Sequence, residues 1–234
     1  MTDERARTTV TQRAIDRVME MITSGRLRAG ERLPTERELA ATLGLSRSSM
    51  REAIRALTVM GVLETRHGAG IYVTPLRPGD LLEGFGVLAE VARGEGLVDL
   101  LRLRRVVEPA ATAMAAARIS ADALGLVREH LDAMAAREQV EDIVAADLAF
   151  HREIVAAAGS PAMSALLEGL STRTFRARVW RAHRDEGVLP RTREEHERIY
   201  AALADRDPAA AHAAAAVHVA EVENWLRANL DEWD

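Results

Sequence analysis

The chain has 234 residues, of which 48% are hydrophobic and 29% charged, with a formal net charge of −5 and no cysteine. These values describe a globular chain with room for two ordinary domains, and they exclude a disulfide framework and a thiolate metal site. No apolar run approaches membrane-spanning length and nothing resembles a signal peptide, so a cytoplasmic protein with no membrane partner is expected.

The acidic balance is unevenly spread. Residues 1–75 carry 12 Arg and 9 Asp plus Glu, a net of +3, whereas the remainder carries −8. A basic N-terminal part on an acidic chain is the asymmetry that phosphate binding requires.

In chain order, Thr9 to Ser24 reads as a helix with Val10, Ala14, Ile15, Val18 and Ile22 on one face, stopped by Gly25. Arg26 to Arg32 reads as a turn. Thr35 followed by Glu38 is a capping box opening a second helix, which buries Leu39, Ala40 and Leu43 and ends at Gly44. Ser46 caps a third helix, with Met50, Ala53, Ile54 and Leu57 as its apolar stripe. Its opposite side opens with Arg47, Ser48, Ser49 and Arg51. Arginine there can bond guanine bidentately, and serine can bond bases or phosphates. After Gly61, Leu63 to Thr65 and Ile71 to Val73 read as two short strands with His67-Gly68-Ala69-Gly70 at the tip. Helix, turn, helix and wing in this order predict a DNA reader whose last helix enters the major groove.

Pro75, Pro78 and Gly79 mark a linker at 76–80, and beyond it only helical periodicity is visible. Helices are expected at Leu81–Ala92, Leu97–Arg118, Ser120 to about Glu138, Val140–Ala158, Pro161 to about His183, Thr192–Ala204 and Pro208 to about Leu230. A loop is expected at Gly187–Pro190. The fold class is therefore mainly α. A winged helix-turn-helix domain occupies 1–75, and an antiparallel bundle of six or seven helices occupies 81–234.

Asp147 and His151 stand i, i+4 on one helix face; His196 and His218 lie on two later helices. The side of the last helix shared by Ala214, Val217, His218, Glu221 and Trp225 is expected to face inward. One carboxylate and three imidazoles from three helices can hold a divalent metal in a bundle core, with Zn, Ni or Mn all compatible. His130, His183 and His212 have no companions at such spacing. Arg173, Arg176 and Arg178 are candidates for binding an anion, and helical phase does not decide between them. An aromatic content of 3% argues against a pocket for a large planar ligand.

Two stretches resemble the GntR superfamily of bacterial transcription regulators. The first, over roughly Thr9 to Val73, rests on Leu33-Pro34-Thr35-Glu36-Arg37-Glu38-Leu39-Ala40, on Ser46-Arg47 with Arg51-Glu52-Ala53, and on Arg66-His67-Gly68-Ala69-Gly70. The resemblance implies DNA contacts from Arg37, Ser46, Arg47, Ser48, Ser49, Arg51, His67 and Gly68. An alternative for Arg37 and Arg51 is a surface salt bridge to a nearby glutamate.

The second stretch, from about Leu81 to Leu230, is similar to the FCD-type effector-binding domain of the FadR subfamily. It is carried by Leu103 to Pro109, Asp147-Leu148-Ala149-Phe150-His151, Gly159-Ser160-Pro161, Glu195-His196 and His218. Ser160 stands where that subfamily more often has Asn. The resemblance implies Asp147, His151, His196 and His218 as metal ligands and Arg104 as an effector-binding residue. The alternative for Arg104 is an i, i+4 pair with Glu108.

Together these readings lead to the expectation of a non-enzymatic regulator, a homodimer on an inverted-repeat operator. A small carboxylate bound at the metal site would relieve its repression. Two other readings stay open: a sensor of the metal itself, and a metal-dependent hydrolase using Glu195 or Glu197 as base.

Overall fold

A computed structural model describes residues 10–79 and 94–232, without the side chains of Thr172 and Arg173. The expected helix over Leu81–Ala92 and the Arg173 side chain lie outside the described residues. The chain divides into two compact units, Met1–Gly84 and Phe85–Asp234.

The first unit contains α1 (Val10–Thr23), α2 (Glu36–Leu43), α3 (Arg47–Val59), β1 (Leu63–Arg66) and β2 (Gly70–Val73). Both sides of the Thr35–Glu38 capping box form, and Gly44 ends α2 in the left-handed region at φ 65°. Ser46 caps α3 by accepting from the Ser49 amide at 3.1 Å. The apolar stripes of α1 and α3 meet over Ala14, Val18, Met50, Ala53 and Leu57, all of them buried. The wing is a two-stranded antiparallel hairpin with Leu63 opposite Val73 and Arg66 opposite Gly70.

The segment expected as a plain turn contributes to the wing as well. Gly30 N donates to Val73 O at 2.8 Å, and Leu33 N donates to Ile71 O at 2.8 Å. Gly70 is required at its position: its φ is 116°, and a Cβ there would come within 2.7 Å of Arg32 Nε. Pro78 and Gly79, within the expected linker, have helical backbone.

The second unit is all-helical among the described residues, with α4 (Glu95–Ala116), α5 (Ala121–Ala136), α6 (Val140–Ala157), α7 (Pro161–Arg184), α8 (Val188–Ala204) and α9 (Pro208–Ala228). A 3₁₀ turn at Leu230–Glu232 follows. Ser120, Ser160 and Asp207 cap α5, α7 and α9, the last two with proline just inside the helix. The core runs from Ala111, Ala115 and Ile119 through Leu131, Phe150 and Ile154 to Leu170, Ile199 and Leu203. The most extensive packing is α4 on α9 and α5 on α6.

Two expectations need correction. No loop separates Gly187 from Pro190: α8 starts at Val188 with Gly187 left-handed at φ 80°. Pro190 sits in the first turn, where its missing N–H has no partner to lose, so the helix accommodates it. The inward face of α9 is Ala211, Ala215, His218, Val222 and Leu226. Val217 is 52% exposed, and Glu221 is also exposed. Those two residues lie one position before the i, i+4 row of His218, a rotation of about 100° that carries them out of the core.

Candidate functional site

Asp147 and His151 project from α6, His196 from α8 and His218 from α9, and all four are buried. One ligand atom from each lies within 4.8 Å of the other three. His196 Nε2 is 3.1 Å from Asp147 Oδ1 and 3.1 Å from His151 Nε2. His151 Nε2 is 3.5 Å from the same carboxylate oxygen. Phe150, buried beside them, lies edge-on to the His151 ring and 4.7 Å from the His196 centroid.

Two further carboxylates orient the rings. His151 Nδ1 lies 2.7 Å from Glu108 Oε1, and His218 Nδ1 is hydrogen-bonded to Glu195 Oε2 at 2.8 Å. A carboxylate on Nδ1 holds the proton there and leaves the Nε2 lone pair for a cation. His218 Nε2 is buried and has no hydrogen-bond partner among the described residues. Three imidazoles and one carboxylate, all buried and two of the rings oriented from behind, fit a divalent cation of the zinc, nickel or manganese type.

The electrostatics of the cluster follow from burial and pairing. Burial pushes the Glu108 carboxyl up, but the Arg104 guanidinium and His151 outweigh it and hold it at about 2. Burial likewise raises Asp147, yet hydrogen bonds and charge from His151 and His196 keep it well below the usual carboxylate range. Burial lowers His196, and for His218 burial together with the neighbouring histidines lowers it well below the usual range, so both are neutral. His151 is opposed by burial but lifted to about 9 by Glu108 and Asp147. A cation at its Nε2 replaces the proton that these carboxylates otherwise retain. Glu195 is raised to about 7, chiefly by burial, against the pull of Arg181.

Asp147, His196 and His218 also line a cavity of about 340 Å³. Arg178 and Arg181 stand in its wall, both buried. Arg178 Nη1 pairs with Asp147 Oδ2. Its Nε and Nη2, and the Nε of Arg181, have no hydrogen-bond partner among the described residues.

Arg104 is placed elsewhere. Its Nε donates to Glu108 Oε2 at 2.6 Å, it is 1% exposed, and it does not line this cavity. Arg104 and Glu108 are thus the i, i+4 pair, set behind His151. Arg176 is exposed, which leaves Arg178 as the described member of its trio at the site. Sequence reasoning missed Arg181 and the contact of Glu108 with His151. A charged pair on the inward face of α4 was the available sign for the second.

The residues expected at DNA lie on α2, at the cap and first turns of α3, and at the turn between β1 and β2. Arg37, Arg47, Ser48, His67 and Gly68 are exposed, and Arg47 makes no hydrogen bond or ion pair among the described residues. Arg51 Nε pairs with Glu36 Oε2 at 3.1 Å, both partly exposed. Ser46 is largely committed to its cap, with its Oγ 2.8 Å from Ser49 Oγ and 3.0 Å from Ser48 Oγ. Arg66, not among the expected contacts, lies 4.1 Å over the Tyr72 ring and pairs with Glu64 at 2.6 Å.

Comparison with known proteins agrees with both units. Residues 10–73 match the family described as "Bacterial regulatory proteins, gntR family", and residues 99–221 match the FCD domain. Bacillus subtilis YcbG, an uncharacterized HTH-type transcriptional regulator, is 30% identical over 97% of this chain and 94% of its own. The Escherichia coli galactonate operon transcriptional repressor is 28% identical over 93% of this chain and 96% of its own. A solved structure, Streptococcus agalactiae GntR, superposes with a TM-score of 0.62 at 27% identity, covering 92% of this chain and 99% of that one. With a winged helix that exposes arginine and serine, followed in the chain by a helical unit built around a buried Asp/His cluster, this chain is a DNA-binding transcriptional regulator of the GntR family with an FCD effector domain.

Proposed function

We propose that this protein is a repressor that binds an inverted-repeat operator as a homodimer and is released by a small carboxylate. The carboxylate would be held beside a divalent metal carried by Asp147, His151, His196 and His218. One observation supports this reading above the others. The four ligand side chains converge, and three of them, Asp147, His196 and His218, line a cavity whose wall carries the buried, incompletely paired guanidiniums of Arg178 and Arg181.

The metal, when bound, supplies a fixed positive charge that attracts a carboxylate oxygen. Glu108 and Glu195 keep the His151 and His218 rings oriented. Arg104 holds Glu108 in place and neutralises it. Arg178 faces both Asp147 and the cavity, and its remaining donors suit a planar carboxylate bidentately. The name of the E. coli relative, a repressor of a galactonate operon, accords with repression. Val106 on α4 and Val217 on α9 are large apolar residues left uncovered in the single chain, which suits a partner subunit.

The hydrolase alternative is disfavoured by geometry. Glu195 is tied to His218 Nδ1, and Glu197 pairs with Arg128 at 2.8 Å near the surface. Neither is placed as a base over the cluster. A pure metal sensor would have no use for the arginine-walled cavity.

The test is a melting-temperature screen of small carboxylates on metal-loaded and chelated protein. The proposal expects at least one acid to raise the melting temperature only with metal present. A response to metal alone, with no acid active, would support the sensor reading instead.

A further inference from the structure

The wall of the cavity restricts the acid more narrowly. Among the described lining residues, Thr192 alone offers a neutral hydroxyl or amide. The same cavity is lined by Met134, Ile143, Val144, Val188, Leu189 and Val222. The charged groups are arranged by depth. Arg178 and Arg181 are buried next to the cluster, whereas Arg137 and Arg193 are exposed.

Arginine donates hydrogen bonds and accepts none. The backbone carbonyls of Ile143, Val144 and Val222, in the interiors of α6 and α9, face their own helical ladders, whereas the carbonyls without a ladder partner lie at the C-terminal turns of α5 and α7. Asp147, the carboxylate lining the cavity, is already engaged by Arg178 and the histidines. Each hydroxyl of a polyol brings a donor as well as an acceptor. Along the Ile143, Val144 and Val222 side the wall gives such donors nowhere to go, and burying them unpaired opposes binding.

We infer that the effector is an organic acid with one carboxylate head and a hydrocarbon body, and that polyhydroxylated sugar acids are rejected. The head sits between the cluster and the Arg178–Arg181 pair, while the body lies along the Ile143, Val144 and Val222 side. Arg137 and Arg193 raise the local concentration of anions without specifying the body. This inference rests on the proposal that a carboxylate binds at the metal cluster, and it adds the chemistry of the body attached to that carboxylate.

The experiment is calorimetric titration of the full-length protein, loaded in parallel with zinc, nickel and manganese. One series is the straight-chain 2-hydroxycarboxylates of three to six carbons; the other is the aldonates of five and six carbons. The two share a head and differ only in the hydroxyls of the body. Affinity is expected to rise roughly fourfold per methylene until the cavity is filled. Each aldonate should bind at least tenfold more weakly than the straight-chain acid of equal length.

An aldonate that binds as tightly as its straight-chain counterpart overturns the inference and leaves the carboxylate proposal standing. Absence of binding in both series with all three metals removes the carboxylate proposal, and the inference with it. Ala182, which lines the cavity from α7, gives a second arm. Ala182→Leu, checked for an intact melting transition, should shift the preference toward shorter acids. An unaltered chain-length profile in this variant would contradict the placement of the body.

Discussion

The two functional regions are built on opposite plans. The side chains proposed to contact DNA are mostly exposed and follow one another along the chain: a cap, the first turn of α3 and a hairpin tip. Apart from Ser46, which caps α3, these residues need a firm scaffold beneath them but contribute little to it. The Asp147, His151, His196 and His218 cluster is the reverse. It is buried, it draws on three helices, and Arg104, Glu108, Arg178 and Glu195 tie it into the core. The difference teaches that substitutions at the proposed DNA contacts should change recognition without changing stability, whereas those in the cluster should do both.

The strongest way to break that contrast is Glu108→Ala. It strips Arg104 of its partner and leaves an uncompensated buried guanidinium, at a cost of about 3–5 kcal/mol in stability. Chemical denaturation measures it, and a loss under about 1 kcal/mol would mean that the cluster is not integral to the fold. Next is Arg47→Ala, which should cost about 1–3 kcal/mol of operator affinity at a fixed salt concentration while leaving the melting temperature in place. Equal weakening on operator and unrelated DNA would make Arg47 a phosphate contact rather than a base reader.

Glu195→Gln sharpens the comparison from within the cluster. Weakening the carboxylate behind His218 should reduce metal affinity by roughly ten- to a hundredfold, seen by competition with a chelating dye, with secondary structure retained. Unchanged metal affinity would remove His218 from the ligand set. A small stability effect is expected of Arg51→Ala. Its pair with Glu36 is partly exposed, so the loss should be at most about 1 kcal/mol. A larger loss would show that the proposed DNA contacts support the fold after all.

The same contrast decides what could be read in advance. Caps, turns and the wing are local: Thr35 with Glu38, Ser46, and Gly44 in the left-handed region each occupy the position that chain order suggests. The pair Asp147 and His151 is local too, because i, i+4 on a helix places both on one face. His196 and His218 become partners of that pair only through the packing of α6, α8 and α9, which periodicity does not determine.

Helical phase also misled where it was read too closely. The row through Ala214, His218 and Val222 is inward, but Val217 and Glu221 are turned to the surface. The extent of α8 was hidden by Gly187 and Pro190, residues that interrupt most helices but here start one. Arg104 points at Glu108 instead of the cavity, and the guanidiniums in the cavity wall come from α7, where sequence offered several arginines and no means of choosing among them.

The central claim is that the buried cluster, through a bound carboxylate, controls what the proposed DNA contacts do. The most direct measurement is operator affinity with and without a carboxylate active in the thermal screen, on metal-loaded wild type, chelated wild type and metal-loaded His196→Ala. The account predicts that the acid weakens operator binding at least tenfold in the first, a coupling of about 1.4 kcal/mol or more. It predicts no effect of the acid in the other two, with basal operator binding retained in the His196→Ala variant. An equal response in all three would contradict it and place the effector site away from Asp147, His151, His196 and His218.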